Sequence, residues 1–255
     1  MAQFPSTSAD STSEPFFLQV ARGHVPGHSH INKFGSNTEI ASDTTEDVWD
    51  GSSTYSFPAT ALMTRMSQTV NQAAMTGGRI EIQGLDANWE RSTQITTLNA
   101  TNTTTAVVLD PPLLRCFRMK VLENVVGDSP IRVHNTAENQ DYAIIGIGHN
   151  QTLMAIYTVP AGCTAYMTNY FGDLVNTGIA TPTNSTFDLW AADRANGFEF
   201  QLKHEKGLPK EGSGFQHFFT PPYVFTEKTD IKISCGVEDK DGHVHAGFDL
   251  ILVEN

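Results

Sequence analysis

Along most of the chain, apolar and polar residues alternate over short runs that end in turn residues, the period of a half-buried β-strand. Ile80 and Ile82 alternate with polar neighbours between Arg79 and Gln83, "GLDAN" supplies a turn, and Thr93 to Leu98 resumes the pattern. A hairpin is expected there. In "LLRCFRMKVLEN", Arg115, Phe117, Met119 and Val121 fall on one side and Cys116, Arg118 and Lys120 on the other, as in a strand with one buried face. "TLMAIYTVPAGCTAYMTNYFG" holds two β-rich runs joined by Pro160, Ala161 and Gly162. Proline fixes φ and glycine permits a positive φ, so a second hairpin is expected. "GFEFQLKH" and "DIKISCGVEDKDGHVHAGFDLILVEN" supply the last strands, with "EDKDG" as the turn between Ile231 to Val237 and His243 to Val253. No run has the period of an amphipathic helix of three turns.

Many strands and few helices imply antiparallel pairing, because parallel strands need long, usually helical crossovers. The expected fold is therefore all-β: an antiparallel β-sandwich, jelly-roll-like, whose core takes Phe57, Phe117, Tyr157, Tyr166, Phe198, Phe200, Phe225 and Phe248. The first fifty residues read differently. Ser6 to Glu14 is Ser, Thr, Asp and Glu in the main, and from Gly23 to Asp50 apolar residues occur singly without a sustained period. This predicts an extended N-terminal arm over residues 1–50 and a sandwich body over 51–255. The body is either one sandwich or two packed subdomains, about 51–135 and 136–255.

Charge narrows the partners. Sixteen Lys and Arg stand against 28 Asp and Glu, a net charge of −12, which disfavours wrapping a phosphate backbone. No nucleic-acid partner is expected. The N-terminal "MAQFPSTSADSTSEPFF" lacks the basic start and apolar run of a secretion signal, and no stretch approaches the ~18 to 20 apolar residues of a membrane span. The expectation is a soluble chain made in a cytoplasm, with no membrane partner. Cys116, Cys163 and Cys235 are odd in number and widely spaced, which predicts buried free thiols in place of a disulfide framework.

Candidate chemistry is sparse. His24, His28 and His30 fall within seven residues of "QVARGHVPGHSHINKFG". Three imidazoles could hold a transition metal, but His24 would need a turn at Pro26 and Gly27 to converge on the others. A docking segment is the preferred reading, with neither metal nor cofactor expected. Asp239, Asp241 and Gly242 mimic part of a calcium loop, yet Phe248 stands where the bidentate Glu belongs. Gly212, Ser213 and Gly214 lack the strand-turn-helix setting of a nucleophile elbow, and paired carboxylates would have to come from separate strands. No catalytic residue is assigned, and a non-enzyme is expected.

The segments "GHVPGHSHINKFGSNTEIASDTTEDVWDGSSTYSFP", "IQGLDANWE", "QTLMAIYTVPAGCTAYMTNY", "EKTDIKISC" and "AGFDLILVEN" resemble β-rich structural proteins of tailed bacteriophages, especially marine ones. There, an arm with a KFG and EDVWDG-like pattern leads into a β-rich body. The resemblance covers most of the chain and implies a virion structural protein, similar to capsid decoration or cement proteins. It carries over no catalytic residues. The partners it implies are the major capsid protein or other virion proteins, and further copies of the chain, with a trimer favoured because trimers suit local threefold positions of a shell. His24, His28, His30, Phe34 and Trp49 are then the expected contact residues of the arm. A tail or neck adaptor, or a host-surface-binding module, is the alternative.

Overall fold

A computed structural model describes residues 14–123, 127–175, 182–209 and 214–255. The short helix α1 (Phe16–Ala21) precedes β1 (His28–Ile40) and β2 (Thr45–Asp47). There follow β3 (Met63–Gln68), β4 (Arg79–Leu85), β5 (Arg91–Thr97), β6 (Val107–Leu113), β7 (Arg115–Val121), β8 (Ile131–His134) and β9 (Asp141–Ile145). The last third holds β10 (Ile156–Thr158), β11 (Cys163–Leu174), β12 (Asn184–Asp193), β13 (Gln201–Pro209), β14 (Phe215–Phe225), β15 (Thr229–Val237) and β16 (Gly242–Glu254).

Two antiparallel sheets form the sandwich. The first runs β1-β16-β11-β14, and the second runs β10-β15-β12-β13 with β2 also on β15. Both β2 and β10 pair antiparallel with β15, β2 along Ser234 to Gly236 and β10 along Asp230 to Lys232. They are collinear halves of one interrupted strand. Val48 N donates to Ile233 O, and Ile233 N donates to Ala155 O, across the break. Counting the halves as one, the eight strands cross between sheets at every step except the β12 to β13 hairpin, the order of a jelly roll. The all-β, antiparallel, jelly-roll-like expectation is met.

The interruption is an insertion. Trp49 and Met154 pair antiparallel where the chain leaves and returns, and Ala155 N donates to Val48 O at 2.9 Å. Between them, β6-β3-β8-β9 and β5-β4-β7 form two smaller sheets around their own core of Met63, Met66, Ile80, Ile82, Leu113 and Met119. The sandwich core is separate, built on Tyr170, Phe187, Leu189, Ile233, Phe248 and Leu250. Leu85 and Phe117 of the insertion reach into it.

Domain organisation is therefore corrected in two places. From His28 the expected arm is a sandwich strand, paired along its length with β16, and Thr45 to Asp47 adds to the second sheet. Nor does a subdomain boundary fall near 135 and 136, since that point is the turn between paired strands β8 and β9. The reason the period misled lies in the inward face of β1, which is Ile31, Lys33, Gly35 and Asn37. Only Ile31 among these packs on the core as an apolar side chain. Lys33 Nζ donates to Phe117 O, and Asn37 Nδ2 donates to Asp47 O at 3.1 Å. A Cβ on Gly35 would lie 2.3 Å from Val48 O and 2.4 Å from Ala155 N, so the strand packs backbone on backbone against the break. An edge strand buried by polar contacts need not alternate.

The hairpin of β4 and β5 forms as expected, Arg79 opposite Thr97 through Leu85 opposite Arg91. The hairpin expected at Pro160 to Gly162 does not. β10 belongs to the second sheet and β11 to the first, so this turn carries the chain across the sandwich. Cys116, Cys163 and Cys235 are free and buried, as the sequence predicts. Of the expected core aromatics, Tyr166 points to the outer face of the first sheet and Phe198 is exposed.

Sandwich and insertion are joined by buried charge. Arg115 on β7 is 3% exposed and grips the fully buried Asp230 on β15 with two bonds, Nε to Oδ1 at 2.8 Å and Nη2 to Oδ2 at 2.9 Å. Asp230 also accepts from Thr158 Oγ1 at 2.7 Å and Arg194 Nε at 3.0 Å. Arg115 Nη1 donates to Pro58 O and Leu114 O, and its guanidinium lies over the rings of Phe57 and Trp89.

Candidate functional site

The two sides of the sandwich are finished differently. At one side the insertion covers β1: Arg118 Nη2 donates to Asn32 O at 2.6 Å, beside the Lys33 contact to Phe117 O. At the other side, edge strands β13 and β14 have no outer partner among the described residues. Unpaired edges template association, though Pro221 and Pro222 deprive the middle of β14 of amide donors.

The outer face of the first sheet gathers three of the expected contact residues, His28, His30 and Phe34, with others. Register places His30, Ile251, Tyr166 and Val224 in one row across the four strands, Asn32, Asp249, Asn169 and Phe218 in the next, and Phe34, Gly247, Phe171 and Gln216 in the third. A Cβ on Gly247 would lie 2.5 Å from Phe171 Cζ, so the ring crosses β16 where no side chain stands. Phe218 is 62% exposed and Val224 50%. Between the apolar rows sits one acid with its oxygens engaged: Asn32 Nδ2 donates to Asp249 Oδ1 at 2.8 Å, Asn169 Nδ2 donates to Oδ2 at 3.0 Å, and His30 Nε2 lies 3.3 Å from Oδ1. The face is an apolar belt around a hydrogen-bonded polar centre.

Of the five expected contact residues, His28, His30 and Phe34 lie on this face. Trp49 does not: it is 2% exposed in the core of the insertion, with Nε1 donating to Ser53 O, because it opens the inserted loop and packs edge-on to Tyr55. This corrects its assignment as a contact. His24 lies before the strand, its Nδ1 3.5 Å from Glu14 Oε2. His28 Nδ1 donates to Pro26 O. The three imidazoles thus have separate partners and do not converge. Gly212 and Ser213 fall outside the described residues. Tyr166, Phe171, Phe218 and Val224 were not legible as contacts, since their strands alternate apolar residues on both faces.

Between the sheets, the open side exposes a second aromatic group. Tyr170 hydroxyl is 2.6 Å from His204 Nδ1, and the His204 and His217 rings are 4.2 Å apart. Burial, then His217, lowers the His204 pKa, and burial raises that of Tyr170. Neutral His204 thus accepts from the tyrosine O–H. On the outer face of the second sheet, Asp188 stands opposite Glu205. Burial first, and then Glu205, push its pKa up to about 6, and its Oδ1 has no hydrogen-bond partner among the described residues. A carboxyl whose folded pKa is raised loses stability as pH climbs from the ordinary value, about 3.9, through the folded one. Asp188→Asn removes that loss. Urea midpoints of the two proteins are expected to coincide near pH 4 and to separate in favour of the variant up to pH 7. A variant that is less stable at pH 7 would show that Asp188 is ionised in a favourable contact.

No protein-family model matches the chain, and no curated protein matches it. Among the described residues, no helix is long and apolar enough to cross a membrane.

Proposed function

We propose that the protein is a structural component of a bacteriophage virion, a capsid decoration or cement protein that works by oligomeric contact. The observation that carries this reading is the apolar belt on the outer face of the first sheet, where Phe218 and Val224 stand half or more exposed beside Tyr166 and Phe171. Exposed apolar surface of this kind marks an association site. The occupant we assign is a second copy of the chain. In a molecule of net charge −12, like surfaces repel least where acids are few, and the three rows of the belt hold one carboxylate, Asp249, which two amides hydrogen-bond. A symmetric oligomer multiplies weak contacts to a shell through effective concentration.

The expected result is a trimer by light scattering. Phe218→Glu with Val224→Glu is expected to give folded monomers with a native circular dichroism spectrum, because both side chains lie outside the core. Cosedimentation with shells lacking the protein should weaken in parallel. A wild-type monomer that does not bind shells would overturn the reading, as would a variant that assembles as well as wild type. The alternative, a module that binds the host surface, is favoured by one observation, a cavity lined by Lys33, Arg91 and Arg118 where β1 meets the insertion.

A further inference from the structure

Where β1 meets the insertion, the cleft holds a cavity of 330 Å³. Its lining includes His30, Lys33, Arg91 and Arg118 and no acidic residue, in a chain with 28 acids and 16 bases. Arg91 is balanced by Glu254, and His30 Nε2 lies 3.3 Å from Asp249 Oδ1. Lys33 is 3% exposed and donates to the backbone oxygen of Phe117; Arg118 donates to that of Asn32. Among the described residues, neither has a carboxylate at ion-pair distance. A buried basic group without a counter-charge is costly to ionise, and Lys33 from β1 with half-buried Arg118 from β7 offers one half of an ion pair.

The rest of the lining narrows the class. Gln83, Ser92 and Thr93 offer donors and acceptors of hydroxyl strength, and Phe117 and Tyr157, with ring centroids 4.6 Å apart, form an apolar wall. The volume is at the small end for a ligand site. We propose that this cavity binds a sugar acid, its carboxylate held by Lys33 and Arg118 and its hydroxyls by Gln83 and Thr93, which stand opposite each other on β4 and β5 and share the face of Arg118. This goes beyond the virion reading and does not depend on it.

A pH dependence follows. Lys33 is faced by Arg118 and by Cys116 of β7, with His30 on its own strand and Arg91 on β5; Glu81 offsets Arg118 in part. Burial first, then Arg118, hold Lys33 well below its ordinary pKa, while burial pushes the Cys116 thiol up to about 12, so the thiol is neutral. A bound carboxylate favours the ammonium form. Binding therefore takes up a proton once pH exceeds the pKa of the free site, and affinity falls as pH rises.

The test is calorimetric titration of the full chain with glucuronate and galacturonate at pH 6 and pH 8, with glucose and sulfate as controls. At least one uronate is expected to bind saturably, more tightly at pH 6, and glucose not to bind. Lys33→Met and Arg118→Gln should each weaken binding by about tenfold or more, the worth of a hydrogen bond to a charged group. Lys33→Met should leave the free protein folded, since it exchanges a buried amine for an apolar side chain of similar length. If that variant does not fold, Arg118→Gln, at a half-buried site, decides alone. Binding of sulfate only, no saturable uronate binding, or unchanged affinity in the variants overturns the proposal.

Discussion

A chain lacking residues 2–45 will not fold. The deletion removes β1 entirely and the first residue of β2, so β16, an interior strand with β1 and β11 on its two sides, becomes a long apolar edge. Its inward residues Val244, Ala246, Phe248, Leu250 and Leu252 are buried, and Ile31 and Ile40 leave the core they pack on. Opening one side of that core and a full ladder of backbone pairs removes more than the net stability of a domain, about 5 to 15 kcal/mol. Circular dichroism and amide NMR of the truncated chain should show no cooperative melting transition and no native dispersion. The linear pattern gives the opposite expectation, a body that folds without its arm, and a truncated chain that melts cooperatively would restore it.

The second large effect is expected at Arg115. Its guanidinium satisfies both oxygens of Asp230 and the carbonyls of Pro58 and Leu114, all away from water. Arg115→Ala leaves those acceptors short and Asp230 with only Thr158 and Arg194. Breaking one side of a buried pair costs about 3 to 5 kcal/mol, and here the loss also loosens the insertion from the sandwich. Urea denaturation at pH 7 should show an unfolding free energy lower by that amount. Pairing Arg115→Ala with Asp230→Asn should cost less than the sum of the two single changes, because the second change relieves a charge that the first one strands. Simple additivity would show that the two side chains do not interact.

Some of the architecture is local and could be read directly. "GLDAN" between alternating runs specifies the β4 and β5 hairpin because turn and strands lie side by side in sequence. The alternation of Arg115 to Val121 locates β7, although its one buried charge, Arg115, owes its place to Asp230, more than a hundred residues away. For the candidate contact face, the spacing of His28, His30 and Phe34 put them on one side of an extended chain. Nothing local shows that Tyr166, Phe171 and Phe218 join them, since register between distant strands decides it.

The sequence by itself determined the class of this protein: an all-β chain of antiparallel strands with free buried cysteines, because strand period and turn residues are near-neighbour properties. Only the tertiary structure decided which strands pair. The same Pro-Ala-Gly signal can close a hairpin or carry the chain from one sheet to the other, and β10 goes to β15 because Tyr157 and Thr158 find Ile231 and Asp230. It also decided that one sandwich strand is split at Val48 and Ala155 around an inserted domain. A split strand leaves only two short segments, Thr45 to Asp47 and Ile156 to Thr158, each too brief to show a period. Their continuity exists solely on β15, the strand that holds both.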